Sequence, residues 1–95
     1  MAPIKEELVE LLTPIGNGAV VRLPGRRYPG VVIQGDSLSI LVRHIREIRV
    51  RVDKDDEALL DEALLLEEEL EEYRRGYEQA LALHGIELPY VLPSK

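Results

Sequence analysis

The sequence predicts an α+β fold: a small antiparallel sheet of about three strands packed by two helices, the second of them long and amphipathic. Three observations indicate this class. Two runs rich in β-branched residues follow turn-forming segments in the first third of the chain. A stripe of apolar residues with helical spacing begins after Gly35, and a heptad pattern extends over residues 59–84.

The length of 95 residues suits one domain, because chains of this size rarely divide into two hydrophobic cores. We therefore predict a single domain over residues 1–95. Its expected parts are a sheet over about 8–34, helices over about 37–50 and 55–84, and an extended C-terminal tail over 86–95.

The first segment, residues 4–12, fits either a helix or a strand. Ile4, Leu8 and Leu11 share a helical face, but residues 8–13 also alternate as a half-buried strand does. We favour the strand, because residues 13–18 hold a proline, two glycines and an Asn-Gly pair, which form turns between strands.

Two further strands are expected on either side of a basic turn. Residues 19–23 are rich in β-branched side chains, and Pro24-Gly25 ends that run. Pro29-Gly30 begins the next strand, residues 31–34. Because Val31-Val32-Ile33 is apolar without alternation, the pattern predicts a central strand covered on both faces.

Both helices have sequence signals for their ends. Asp36 or Ser37 can cap the first helix, and Gly85 is suited to end the second. The expected buried stripe of the first helix is Leu38, Leu41, Ile45, Ile48 and Val52. The expected seam of the second is Leu59, Ala63, Leu66, Leu70, Tyr73, Tyr77, Ala80 and His84.

Composition argues against several classes of function. The chain has no cysteine, so it has no disulfide, thiol nucleophile or thiolate metal site. The two histidines, His44 and His84, lie on different predicted helices, and neither has a second histidine one turn away. No nucleophile, base and orienting residue occur together. We expect no cofactor, no metal and no enzymatic activity.

Location and nucleic-acid binding follow from hydropathy and charge. No apolar run approaches the roughly 18 residues that span a bilayer, and no secretory signal is visible, so we expect a cytoplasmic protein without membrane contact. Residues 1–52 carry eight Lys/Arg against five Asp/Glu, whereas residues 53–95 carry four against thirteen. This acidic half, and the absence of Phe and Trp, make nucleic acid an improbable partner.

The basic turn is the first candidate site. Arg22, Arg26, Arg27 and Tyr28 could bind a small anionic ligand, because guanidinium groups match phosphate and carboxylate in geometry. The alternative is a solvated hairpin tip, whose arginines keep a sheet edge soluble.

The long helix is the second candidate site. Its apolar seam is larger than a small sheet can cover, so we expect it to contact a protein partner, a second copy first of all. The acidic block beside the seam is either a solvated helix face or a docking surface. The candidate interface residues are Leu59, Leu66, Leu70, Tyr73, Tyr77, Glu68, Glu69 and Glu72.

The block from Val20 to Leu38, VVRLPGRRYPGVVIQGDSL, resembles the core of a family of small uncharacterised bacterial proteins. Leu88-Pro89-Tyr90, after Gly85, is similar to the ending of that family. The resemblance implies a bacterial origin and a single domain, and it implies no activity.

These observations favour a non-enzymatic protein-interaction or regulatory module of accessory, immunity or inhibitor type, self-associating through the long helix. The alternative is a small anion- or nucleotide-binding module that uses Arg22, Arg26 and Arg27.

Overall fold

A computed structural model describes residues 4–92, which form two compact units, residues 4–34 and residues 35–92. The first unit is a sheet and the second is a helical hairpin with a C-terminal tail. The predicted α+β class, with a three-stranded antiparallel sheet and a long second helix, is confirmed. The single domain over residues 1–95, with both helices packed on the sheet, stays a prediction. Residues 93–95 of the predicted tail lie outside the described residues.

The sheet unit consists of three short strands: β1 (Glu10–Leu11), β2 (Val20–Arg22) and β3 (Gly30–Val31). They are antiparallel in the order β1-β2-β3. Glu10 pairs with Arg22 across the first ladder, and Val20 pairs with Val31 across the second. The strand favoured for residues 8–13 is therefore confirmed in its centre.

The predicted central strand is an edge strand. β2 lies in the middle of the sheet, and Val31 and Ile33 are 63% and 48% exposed. The physical reason is the connectivity, because two successive hairpins with short connections place three strands in chain order. The apolar run at residues 31–33 predicted a buried strand, but in this strand order residues 31–33 are exposed.

The loop between β1 and β2 is held by polar side chains. The Thr13 hydroxyl accepts a hydrogen bond from the Val20 amide at 3.0 Å, and the Asn17 side-chain oxygen accepts one from the Gln34 amide at 3.3 Å. Gly18, in this loop, has a φ of 80°, a conformation that favours glycine. The turn predicted over residues 13–18 is confirmed.

The second unit contains α1 (Gly35–Arg51) and α2 (Glu57–Leu83). The connection, residues 52–56, is short, so the helices run antiparallel as a hairpin. Asp56 caps α2, since its carboxylate accepts a hydrogen bond from the Leu59 amide at 3.2 Å. No helix within residues 4–92 has the length and apolar character needed to cross a membrane.

The start of α1 and the end of α2, which both lie away from the connecting loop, are capped in different ways. α1 begins at Gly35, so Asp36 lies inside its first turn instead of before it, and the Asp36 carboxylate accepts a hydrogen bond from the Ser37 amide. α2 ends in a Schellman motif: Gly85 has a φ of 68°, and the Ile86 amide donates to the Leu81 carbonyl at 2.9 Å. The predicted stop at Gly85 is confirmed.

The buried side of α1 overlaps its predicted stripe only in part. Leu38 and Ile45, which the stripe included, are buried, and Val42, which it left out, is completely enclosed. Leu41 and Ile48, which the stripe also included, are exposed. The expected stripe favoured the larger side chains, whereas the helix buries the smaller valine.

Candidate functional site

The buried side of α2 also differs from its predicted seam. Ala63, Leu70, Tyr77 and His84 belong to both. At the other four predicted positions, the residue that follows in the chain is the less exposed one. These predicted positions are Leu59, Leu66, Tyr73 and Ala80. The charged side chains of Glu67 and Arg74 therefore enter the seam. Ala63 and Glu67 are buried, and the other residues of this side are half-buried: Leu60, Leu70, Arg74, Tyr77, Leu81 and His84.

This shift leaves large apolar side chains of α2 uncovered. Leu59, Leu66 and Tyr73 are 52%, 47% and 60% exposed, at a spacing of seven residues. They lie along one side of the hairpin, because a seven-residue step is close to two helical turns. The apolar candidate interface residues therefore divide into an exposed row (Leu59, Leu66, Tyr73) and two half-buried residues of the seam (Leu70, Tyr77).

A groove runs between the two helices on this side, near the connecting loop. Its walls are apolar and come from both helices. Two glutamates of α2, Glu62 and Glu69, also line it. We call this the loop-end groove; its main apolar lining is Ile45, Ile48, Val52, Leu59, Ala63 and Leu66.

The outer side of α1 next to the groove carries charges of both signs. His44 and Arg51 line a shallow pocket there with Glu47 and Ile48, and Ile48 also lines the groove. The loop-end groove therefore has an acidic border on α2, whereas on the α1 border the charge of Arg51 balances that of Glu47.

The opposite side of the hairpin holds a network of ion pairs. Arg49 Nε donates to Glu67 Oε1 at 2.5 Å, and Arg49 Nη2 donates to Glu67 Oε2 at 3.2 Å. Arg46 Nε donates to Glu71 Oε1 at 2.7 Å and lies 3.5 Å from Glu67 Oε2. Arg75 extends the network along α2, 3.9 Å from Glu71. Forked guanidinium–carboxylate contacts fix direction as well as distance, so this network aligns the two helices.

Glu67 is the most enclosed charge of the network, with 8% of its surface exposed. The hydrogen bond from Arg49 holds the pKa of Glu67 below its ordinary value of 4.5, although burial acts in the opposite direction. The same hydrogen bond raises the pKa of Arg49. Both groups are thus charged at neutral pH, and the network is ionic.

The acidic block of α2 is split by these contacts. Glu67 and Glu71 belong to the ion-pair network, whereas Glu68, Glu69 and Glu72 are exposed. Glu68 and Glu72 border a shallow pocket that also includes Tyr73, Arg75, Gly76 and Gln79. The three glutamates predicted as an interface are the solvent-facing part of the block.

The free end of the hairpin is closed by tyrosines. The Tyr77 ring lies against the backbone of Gly35, where a Cβ atom would overlap it. The Tyr90 ring stacks on Tyr77 with centroids 6.4 Å apart, and its hydroxyl donates to Glu78 at 2.8 Å. Burial and this hydrogen bond raise the pKa of Tyr90 to about 12. The tail therefore returns to α2.

The basic turn of the sheet unit is well defined. Leu23–Arg26 is a β-turn with Gly25 at φ 76°, closed by the Arg26 amide donating to the Leu23 carbonyl at 3.1 Å. The Arg22 side chain is engaged within the sheet, because its Nε lies 2.8 Å from Glu10 and its Nη1 donates to the Arg27 carbonyl at 3.0 Å.

Two of the other residues of the turn, Arg26 and Tyr28, line a shallow pocket. The Arg27 guanidinium lies 5.3 Å from the centre of the Tyr28 ring, within cation–π range. Arg26 and Tyr28 line a pocket whose remaining wall is mostly apolar: Val21, Leu23, Gly30, Val31 and Val32. Of the predicted anion-binding residues, Arg26 and Tyr28 share this pocket, whereas Arg22 is paired elsewhere.

The ion-pair network is the part of the site that the sequence reasoning missed. Arg46 and Arg49 are three residues apart on α1, and Glu67 and Glu71 are four apart on α2. These spacings place each pair on one helix face, which is the signal that could have revealed the network.

Within residues 4–92 no three or more His, Cys, Asp or Glu side chains are grouped so that they could hold a metal ion.

Comparison with protein families gives one relationship. The model of a family of unknown function, DUF6959, matches residues 4–90. Comparison with curated proteins and with solved structures gives no match.

Proposed function

The chain belongs to this family of unknown function, and we propose that it is a non-enzymatic protein-interaction or regulatory module that self-associates through the long helix α2. The proposed type of module is an accessory, immunity or inhibitor protein. We place it in a bacterial cytoplasm, because the Val20–Leu38 block resembles bacterial proteins and a cysteine-free chain suits a reducing compartment.

The loop-end groove is the observation that carries this proposal. Ile45 and Ala63 of its apolar lining are buried, whereas Ile48, Leu59 and Leu66 are 57%, 52% and 47% exposed. Contiguous apolar surface of this kind usually marks an interface. A second copy brings an identical groove, so two copies can cover each other in a self-complementary, two-fold contact.

The first prediction concerns the mass in solution. Multi-angle light scattering should give about twice the 10.8 kDa of one chain at high micromolar concentration. Ile48→Gln should weaken the association by roughly tenfold, because a buried apolar side chain contributes about 1.5–3 kcal/mol.

The matched control for this experiment is Val50→Gln. Val50 is also an exposed β-branched residue of α1, but it does not line the groove. It should leave the association constant unchanged. A monomeric mass for the parent protein at every concentration would overturn the proposed self-association.

Docking of a different protein belongs to the same proposal. Glu68, Glu69 and Glu72 are exposed on α2 and could contact a basic partner of an inhibitor-type protein. This surface is separate from Glu67 and Glu71, whose carboxylates are paired with α1.

The second candidate function is binding of a small anion or nucleotide by the basic turn. The pocket beside Arg26 and Tyr28 supports it, because its apolar wall could cover a base or ring while Arg26 contacts a negative group. Arg27, which lies over Tyr28, adds a second positive charge nearby.

A thermal-shift titration tests this candidate with inorganic phosphate and a panel of nucleoside triphosphates. If the turn binds one of them, Arg26→Ala with Arg27→Ala should weaken binding by more than tenfold, because each charge-assisted hydrogen bond contributes about 1.5–3 kcal/mol. Arg43→Ala with Lys54→Ala removes two exposed positive charges from the helical hairpin and serves as the control. A shift that is equal in the parent and the Arg26/Arg27 variant would exclude the turn as the site.

A further inference from the structure

We propose that two copies associate through their loop-end grooves as a four-helix bundle in which α1 of each copy packs on α2 of the other, with both connecting loops at the same end. This inference rests on the proposed self-association and adds its geometry. It names a second copy of the chain as the occupant of the groove.

Charge is the first reason for this arrangement. α1 carries four arginines against two acidic residues, whereas α2 carries nine acidic residues against two arginines. A two-fold contact can place α1 on α2 of the other copy, or it can place each helix on its own equivalent. The second arrangement would bring two strongly acidic helices together, which costs free energy, whereas the first pairs opposite charges.

The borders of the groove differ in charge in the same direction. Glu62 and Glu69 line the groove on the α2 side, whereas Arg51, His44 and Glu47 lie beside Ile48 on the α1 side, which has no net negative charge. Glu62 lies one turn from Leu59 and Glu69 lies three residues from Leu66, so both flank the exposed apolar row. When α1 covers α2 of the other copy, Arg51 faces Glu62 and His44 faces Glu69.

The intramolecular ion pairs leave these border residues available. Arg46 and Arg49 are engaged with Glu67 and Glu71 on the opposite side of the hairpin. The basic residues beside the groove are therefore separate from those that hold the two helices together. One side of the hairpin holds the ion pairs that join α1 to α2, and the other side faces the second copy.

Charge reversal tests the arrangement by sedimentation velocity at low ionic strength, where contacts between exposed charges are least screened. Arg51→Glu alone and Glu62→Arg alone should each weaken self-association by about tenfold, because each change turns two symmetric attractions into repulsions. An equimolar mixture of the two variants should regain the parent affinity, because both contacts are then restored in the mixed dimer.

The outcomes separate this inference from the function on which it rests. A parent protein that stays monomeric would overturn the self-association itself. A parent that associates, with both variants unchanged, would overturn only the α1-on-α2 arrangement. Tighter association of Glu62→Arg alone would establish the opposite arrangement, in which α2 packs on α2.

Discussion

Glu67→Lys should lower the free energy of unfolding by about 2–4 kcal/mol, whereas Glu68→Lys should change it by no more than about 0.5 kcal/mol. Both substitutions reverse one charge on the same helix. The difference arises because Glu67 is enclosed between α1 and α2 beside Arg46 and Arg49, while Glu68 faces solvent. A lysine at residue 67 would place three positive charges together. We expect less than the full cost of breaking a buried pair, since the arginines are about one-third exposed.

Urea denaturation followed by circular dichroism measures this difference, at one fixed protein concentration because association adds to apparent stability. Glu67→Gln should lie between the parent and Glu67→Lys, because it keeps an acceptor for Arg49 and loses the charge. Equal midpoints for the variants at residues 67 and 68 would show that the ion-pair network contributes nothing to the hairpin.

Acid titration gives a second readout on the same variants. The pKa of Glu67 is lowered in the folded protein, chiefly by the hydrogen bond from Arg49. Its ionisation therefore adds stability above its ordinary pKa of 4.5, and that contribution is lost as the pH falls through the folded value. The parent should lose more stability on acidification than Glu67→Gln, which has no carboxyl group there to protonate.

Gly35→Ala should destabilise the protein by about 1–3 kcal/mol, because the added methyl group overlaps the Tyr77 ring. Tyr77 cannot move freely away, since the Tyr90 ring stacks against it. Gly76→Ala is the matched control. Its added methyl group meets no described atom within 4 Å, and alanine in a helix interior is favoured over glycine by about 1 kcal/mol.

Thermal denaturation of both variants should therefore give shifts of opposite sign. The cause of the loss can be isolated with Tyr77→Leu, which shortens the side chain that faces Gly35. In a double-mutant cycle Gly35→Ala should cost less in the Tyr77→Leu background than in the parent. An equal cost in both backgrounds would mean that the Tyr77 ring is not the obstacle.

Much of the fold could be predicted because its signals are local. Turn residues at 13–18, the periodic apolar residues after Gly35 and the stop at Gly85 each act on neighbouring backbone. Strand order is different. The run at residues 31–33 is hydrophobic, but hydrophobicity does not indicate which strands lie beside it. The run could therefore not reveal that β3 lies at the edge of the sheet.

The helix faces show where periodicity is insufficient. In α2 two heptad patterns compete one residue apart, and the one without Asp, Glu, Lys or Arg contains Leu59 and Leu66. The helix buries the other pattern, which includes Glu67, because arginines of α1 satisfy that carboxylate. The partner lies in another segment, so a hydropathy pattern within α2 cannot indicate it. The same competition leaves the apolar groove uncovered, and the predicted interface residues include only part of the lining of that groove.

The ion pairs between α1 and α2 also bear on the order in which the hairpin assembles. Arg49 and Glu67 are separated by 18 residues in the chain, and Arg46 and Glu71 by 25. The entropy lost in closing a flexible segment grows with the logarithm of its length, so the Arg49–Glu67 contact closes at the smaller cost. A forked pair also specifies which turn of α2 faces which turn of α1. We therefore expect the contact nearest the loop to set the alignment of the helices before the tyrosines at the far end meet.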